Sequence, residues 1–284
     1  MGAVTARWYR FRGGAWDLSE RPHIFGILNV TPDSFSDGEE ANRDPSHQVE
    51  KARRLIQHGA DGLDLGAEST RPGHRPVSWD EEWERLDPVL RAVRRALPGI
   101  PLSIDTQKAE VAERALEAGA DIINDIWGFA RDPRLARIVA DAGAGAILMF
   151  NRAEDPSLPI AVDDLRDFFM RQLHGASRAG IAPDQVLIDP GIGFRVQGDA
   201  SWALLRQLEG LRGLGAGILV GHSRKRFLGR TAHVPEARDR DLATAVVSAL
   251  VALEGADVLR VHDPASTRQA LLIANQWRMA RGQN

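Results

Sequence analysis

The sequence predicts an α/β fold, a (β/α)8 TIM barrel with an N-terminal hairpin, and three observations carry that expectation. Eight short apolar runs alternate with longer amphipathic segments, the pattern of βα units around a parallel sheet. Gly-Ala-Asp recurs at 59–61, 119–121 and 255–257, each time just before an apolar run. No Gly-x-Gly-x-x-Gly and no phosphate-loop lysine follows the first run, so an open dinucleotide-binding sheet loses its main support. The 284 residues suit one barrel of about 250 residues. The chain is therefore read as a single domain, with 1–22 as the hairpin and 23–284 as the barrel.

Taken in order, residues 1–22 place Trp8, Tyr9, Phe11 and Trp16 around Gly13-Gly14, as expected of a hairpin covering one end of a barrel. The apolar runs are 24–30, 62–67, 102–106, 122–126, 146–150, 186–189, 218–222 and 258–262. Helical patterns between them include 45–58, 80–96, 109–118, 133–142, 163–179 and 242–254. The glycine of each Gly-Ala-Asp falls just past a helical segment, where a left-handed cap favours a residue without Cβ.

Composition excludes several chemistries. There is no Cys, which removes disulfides, thiolate nucleophiles, iron–sulfur clusters and Cys-type zinc sites. A formal net charge of −3 without runs of like charge disfavours nonspecific binding to nucleic acid or an acidic membrane, and Ser223-Arg-Lys-Arg226 is too short a patch to change that. The first twenty residues lack a secretory apolar region, and the longest apolar stretch, 246–253, is far short of the roughly 20 residues that span a bilayer. A cytoplasmic protein is expected. The lysines are Lys51, Lys108 and Lys225, against 33 arginines, so a lysine inside a polar cluster suggests a task that Arg cannot perform.

Polar residues stand at the carboxyl ends of the runs, the face on which barrels carry their active sites. These are Asn29, Asp105, Asn124, Asp125, Asp189, Ser223, Lys225, Arg260 and His262. Residues two apart on a strand share a face, so Arg260 and His262 oppose Leu259 and Val261, Ser103 and Asp105 oppose Leu102 and Ile104, and Asp189 opposes Ile188. Asp105, Asn124 and Asp189 suit a flat heterocycle with an amino-pyrimidine edge. Lys225, Arg260 and His262 follow strands seven and eight, where barrels commonly hold phosphate. A bland alternative pairs Asp105 or Asp189 with an arginine across the barrel. The loops 29–38 and 68–73, rich in Ser, Thr, Pro, Asp and Gly, are candidate lids.

These segments resemble the dihydropteroate synthase family. Ile27-Leu-Asn-Val-Thr-Pro-Asp-Ser-Phe-Ser-Asp-Gly38 is similar to its first signature and Asp64-Leu-Gly-Ala-Glu-Ser-Thr-Arg-Pro-Gly73 to its second. Ile104-Asp-Thr106 with Lys108, Asn124-Asp125, Asp189-Pro-Gly-Ile-Gly-Phe194, Ser223-Arg-Lys225 and Arg260-Val-His-Asp263 continue the match over roughly residues 23–275. The resemblance implies condensation of 6-hydroxymethyl-7,8-dihydropterin pyrophosphate with 4-aminobenzoate, assisted by Mg2+. It implies that Asp105, Asn124 and Asp189 hold the pterin, with Lys225 by its ring and Thr70 nearby, and that Met149 and Gly221 are among the substrate-binding residues. Asn29, Arg260 and His262 would hold the pyrophosphate, Asn29 also serving as the magnesium ligand. Asp33, Arg71, Pro72, Phe194 and Lys225 would enclose the aminobenzoate, and Asp33, Lys225, Arg260 and His262 carry the catalytic roles. A homodimer through the outer helices is expected by the same analogy. The chain departs from the family at Phe150-Asn151, where His is usual after Leu-Met, at Arg195-Val196 and at Glu39. A noncatalytic pterin-binding relative and a corrinoid-linked methyltetrahydrofolate methyltransferase are the competing expectations. Both long loops and Ser223-Arg-Lys225 favour the synthase over the methyltransferase.

Overall fold

The structure, a computed structural model, describes residues 7–30, 44–69, 75–151, 161–194 and 196–281. Strands β1 (Trp8–Phe11) and β2 (Gly14–Asp17) pair antiparallel, with Gly13 at φ +78° in the turn between them. Eight parallel strands then close on themselves: β3 (His23–Asn29), β4 (Gly62–Gly66), β5 (Leu102–Asp105), β6 (Ile122–Asp125), β7 (Gly145–Met149), β8 (Val186–Asp189), β9 (Gly217–Val220) and β10 (Val258–Val261). Closure is made by β10, which bonds to both β9 and β3. Around the barrel lie α1 (Pro45–Gln57), α2 (Trp79–Ala96), α3 (Ala109–Glu117), α4 (Arg134–Asp141), α5 (Val162–Ala179), α6 (Asp199–Leu205), α7 (Arg226–Thr231), α8 (Asp241–Leu253) and α9 (Pro264–Arg281). None of the described helices is long and apolar enough to cross a membrane.

Strand alternation divides the apolar residues into two cores. Leu63, Leu65, Ile104, Ile123, Leu148, Ile188, Leu259 and Val261 face outward and pack with helix residues such as Leu90, Val111, Val139, Phe169 and Val247. Phe25, Ile122, Ile147, Leu187, Leu219 and Val258 face inward at the amino-terminal end, where Tyr9, Phe11, Trp16 and Leu18 of the hairpin segment join them. The hairpin thus plugs the bottom of the lumen. Inward positions nearer the carboxyl ends are left to polar side chains.

The repeated Gly-Ala-Asp has one physical job at three joints. Gly59, Gly119 and Gly255 leave their helices at φ +96°, +106° and +104°, and the buried Ala follows. The Asp then accepts a backbone N–H from the first two residues of the preceding strand: Asp61 from Ile24 (2.8 Å), Asp121 from Leu102 (2.9 Å) and Asp257 from Ile218 (2.8 Å). Each carboxylate is also ion-paired, with Arg21 and Arg268, with Arg94, and with Arg7 respectively. The motif therefore stitches neighbouring strands at the amino-terminal rim, the end away from the polar lumen.

Caps account for helix starts at the other end. Asp44 accepts from Ser46 N and His47 N ahead of Pro45 in α1, and Ser78 accepts from Glu81 N in α2, whose first turn is acidic. Helix α9 was not among the patterns read from sequence, because apolar residues lie on two faces. Leu271 and Ala274 are buried while Leu272, Ile273 and Trp277 are exposed, which blurs a single stripe.

Candidate active site

Each lumen side chain is placed by strand parity. Asp105 ends β5 beside Asn124 on β6, and the Asn124 amide donates to Asp105 Oδ1 at 2.9 Å. Asp189 ends β8; its Oδ1 accepts from Gly191 N (2.9 Å) and its Oδ2 from Arg260 Nη2 (2.9 Å). Gly191 sits at φ +70°, and a Cβ there would lie 2.2 Å from Phe150 O, so only glycine lets the chain turn back onto the aspartate. Met149 is buried opposite Asp189 on β7. Gly221 makes room for Arg260, since a Cβ at 221 would stand 3.1 Å from Arg260 Nη2.

The lumen holds more acid than it can ionise freely. Burial is the main cause that pushes Asp105 up to about 8, reinforced by the neighbouring Asp64 and opposed by Arg260. Asp64 is also raised by burial, with Arg260 working against the shift. Burial opposes the charge of Arg260, but Asp64, Asp189 and Asp105 outweigh it and hold the guanidinium protonated.

At the rim, Lys225 lies over the Phe194 ring, 4.9 Å from its centroid, and its ammonium donates to Ile192 O. Burial draws Lys225 down to about 8. Ser223 Oγ accepts from His262 N (3.1 Å) and stands 2.9 Å from His262 Nδ1, to which its own hydrogen remains free to donate. The Ser223–Lys225 turn is gripped by α8. Arg224, at φ +59°, binds Asp241 with two 2.7 Å contacts, its N–H donates to Thr244 Oγ1, and Arg240 donates to its carbonyl. His222, drawn down to about 4 by burial, is neutral and bonds to Ser248 Oγ and Thr244 O.

Thus the structure gathers Asp105, Asn124, Met149, Asp189, Gly221 and Arg260 in one lumen, with Lys225, Phe194 and His262 placed by the chain segments above it. Asn29 ends β3 partly exposed, its carbonyl accepting from Gln48. Asp33, Thr70, Arg71 and Pro72 lie outside the described residues. The Arg260 guanidinium bridges Asp189 and Asp64, as a buried charge requires close counter-charges. The expectation that an aspartate here pairs with a cross-barrel arginine describes Asp189 in this state.

Among the described residues no three His, Asp or Glu side chains converge as a metal cage. Asn29 ends β3 with an amide oxygen, a donor of the type a hard cation such as Mg2+ takes.

Residues 25–262 match the family described as pterin binding enzyme. The dihydropteroate synthase of Synechocystis sp. is 41% identical over 270 residues, covering 93% of each chain. The solved Xanthomonas albilineans dihydropteroate synthase with 4-aminobenzoic acid has 35% identity and a TM-score of 0.88, over 98% of this chain and 99% of that one. The Thermus thermophilus enzyme in complex with 6HMPPP has 37% identity and a TM-score of 0.83, over 95% and 99%. The chain belongs to the dihydropteroate synthase family of pterin-binding enzymes.

Two residues that the motifs contain, Asp64 and Lys108, have partners that the sequence does not reveal. Asp64 stands in mid-strand rather than at a strand end, but an acid alternating with leucines in Gly62-Leu-Asp-Leu-Gly66 is itself a signal of an inward position. Lys108 joins two buried carboxylates, Glu68 (2.8 Å) and Glu82, and Glu68 also accepts from Val77 N (3.1 Å). One carboxylate thereby joins both flanks of the segment carrying Thr70, Arg71 and Pro72. The departure at Phe150 lies on the outward face, edge-on to Phe168 at 5.1 Å, so it fills the sheet–helix core rather than the lumen. Val196 is buried in the same core.

Proposed function

We propose that this chain condenses 6-hydroxymethyl-7,8-dihydropterin pyrophosphate with 4-aminobenzoate to give 7,8-dihydropteroate and pyrophosphate. The observation that carries the reading is the lumen set of Asp105, Asn124 and Asp189 beneath Lys225 and Phe194: directional acceptors and an amide at the bottom, a cation against an aromatic ring at the rim. Asp189 and Asp105 receive the amino-pyrimidine edge, Asn124 completes the set, and Met149, Gly221 and Thr70 shape the slot. Lys225 lies by the pterin ring. Asn29 and His262 receive the pyrophosphate, and Arg260 adds positive charge from the lumen. Bound Mg2+, held by Asn29, would supply charge to offset the leaving pyrophosphate.

Substitution is dissociative. The bond from the pterin methylene to the pyrophosphate oxygen breaks first, and its electron pair leaves with pyrophosphate. The aminobenzoate nitrogen then bonds to the methylene and loses a proton. Lys225, Arg260 and His262 stabilise the departing charge, and Asp33, Arg71, Pro72 and Phe194 enclose the aminobenzoate. No protein nucleophile takes part.

The same reading includes a homodimer in the cytoplasm. Leu242, Val246, Leu250 and Leu253 form an exposed stripe on α8, continued by Leu272, Ile273 and Trp277 on α9, and a second copy would cover it. The test is dihydropteroate formation with and without Mg2+, alongside pterin-analogue binding on the same preparation. Turnover that rises with Mg2+ supports the proposal. Binding without product at any Mg2+ or aminobenzoate concentration would leave a noncatalytic pterin-binding protein.

A further inference from the structure

We infer that Asp64 is a positioning residue for the reaction: it holds the Arg260 guanidinium in the lumen when Asp189 turns its carboxylate to the pterin. The inference rests on the proposed function for its substrate, and on the following geometry for its mechanism.

Strand β4 offers the lumen a single side chain. Its inward positions are Gly62, Asp64 and Gly66. A Cβ at 62 would come within 2.8 Å of the Phe25 ring, and one at 66 would sit 3.6 Å from Asp105 Cβ. Gly62 thus leaves room for Phe25 below, a Cβ at 66 would make only ordinary contact with Asp105 above, and the acid between them is 5% exposed. Asp64 Oδ2 accepts from Arg260 Nη1 at 3.3 Å, and the hydroxyl of Ser103, beside it on β5, also favours its charged form. Arg260 divides its guanidinium between Asp64 and Asp189.

That division matters once a pterin binds. Asp189 Oδ1 already accepts from Gly191, so N–H donors of the amino-pyrimidine edge must share the oxygens that hold Arg260. A guanidinium losing its only acid inside a barrel would withdraw toward solvent. With Asp64 in place it keeps one counter-charge and stays beneath the ring. Asp64 has a second effect on the site. Asp105 shares the lumen with Asp64 of β4, Arg260 of β10 and Lys225, and feels the charges of Asp125 on the outer face of β6 and Glu82 on α2 through the barrel wall. Among the charged neighbours, Asp64 contributes most to keeping Asp105 protonated, after burial itself.

The experiment compares wild type, Asp64→Asn, Arg260→Ala and the double variant in steady-state kinetics. The affinity of a phosphate-free pterin analogue is measured for wild type, Asp64→Asn and Asp105→Asn by calorimetry between about pH 6 and 9. Asp64→Asn is expected to lose about 30-fold in kcat/KM, and to cause no further loss once Arg260 is alanine, because the two act as one unit. Asp105→Asn marks which part of the inflection near pH 8 in wild-type analogue affinity belongs to Asp105 and not to Lys225, and that inflection is expected to move to lower pH in Asp64→Asn, since removing a nearby negative charge eases ionisation of Asp105. An equal loss on both backgrounds, or an inflection that does not move, overturns the inference. If Asp64→Asn does not fold, Asp64→Ser carries the same comparisons. Wild type that binds the analogue but forms no product would sink the proposed function and still leave the calorimetric arm to judge Asp64.

Discussion

Asp189→Asn tests the lumen most directly. In the folded protein the carboxylate is 1% exposed and both oxygens accept hydrogen bonds at 2.9 Å, one from Gly191 N and one from Arg260 Nη2. An amide has one acceptor. With its oxygen toward Arg260, its NH2 meets the Gly191 N–H; reversed, it meets the guanidinium. Either way two donors face each other in a buried site. An unmatched buried donor costs about 1–3 kcal/mol, and a charge-assisted bond is worth about 1.5–3. The pterin edge meets the same mismatch, because a carboxylate accepts two N–H bonds where an amide accepts one. Losing about 2–4 kcal/mol of pterin affinity corresponds to roughly 30- to 1000-fold in Kd. The assay is calorimetric titration with a phosphate-free pterin analogue, with a thermal melt of the same sample to separate loss of fold from loss of binding. A folded variant whose Kd stays within about threefold of wild type, a difference below 1 kcal/mol, would refute the placement of Asp189 in the pterin site.

Gly193→Ala would put a Cβ 2.4 Å from Lys225 Cδ at a residue with φ +84°, and turnover is expected to fall at least about tenfold; wild-type kinetics would show that Lys225 can move without consequence. Lys225→Arg preserves charge but replaces a compact ammonium with a planar fork, so kcat should drop, and full activity would reduce Lys225 to a general cation. Asp105 binds its proton more tightly in the folded protein than unfolded, so this residue's contribution makes stability fall as pH rises from about 4 toward about 8. Asp105→Asn keeps an acceptor for Asn124, and should raise Tm by about 2–4 °C near pH 8 while flattening that decline, as read from melts across pH. Trp16→Ala removes a buried ring that stacks on His23 at 4.6 Å, at a cost of about 3–5 kcal/mol in denaturant unfolding, yet should leave kcat intact because the plug is at the opposite end from the chemistry.

Much of this architecture is readable from local pattern. Short apolar runs mark the strands because a parallel strand is buried on both faces, and each expected run lies within a residue or two of an observed strand. Alternation along Leu259-Arg260-Val261 assigns faces without knowledge of the fold, and the structure places Leu259 and Val261 against the helices and Arg260 against the lumen acids. The recurring Gly-Ala-Asp signals repeated joints, though its job of capping the preceding strand emerges only when neighbouring strands are side by side.

What the sequence by itself determined is therefore the list of strands, the faces of their residues and a set of polar groups on one rim, since these depend on neighbours a few positions apart. Tertiary structure alone decided which of those groups meet. Asp64, Asp189 and Arg260 are separated by 125 and 71 positions along the chain, and only closure of the barrel brings their charges within 3.3 Å. Tertiary packing likewise sets Phe150 against Phe168 of α5 and brings Lys108 onto Glu68 and Glu82. Pairing of buried charge is a long-range condition of low-dielectric space, and no local pattern encodes the partner.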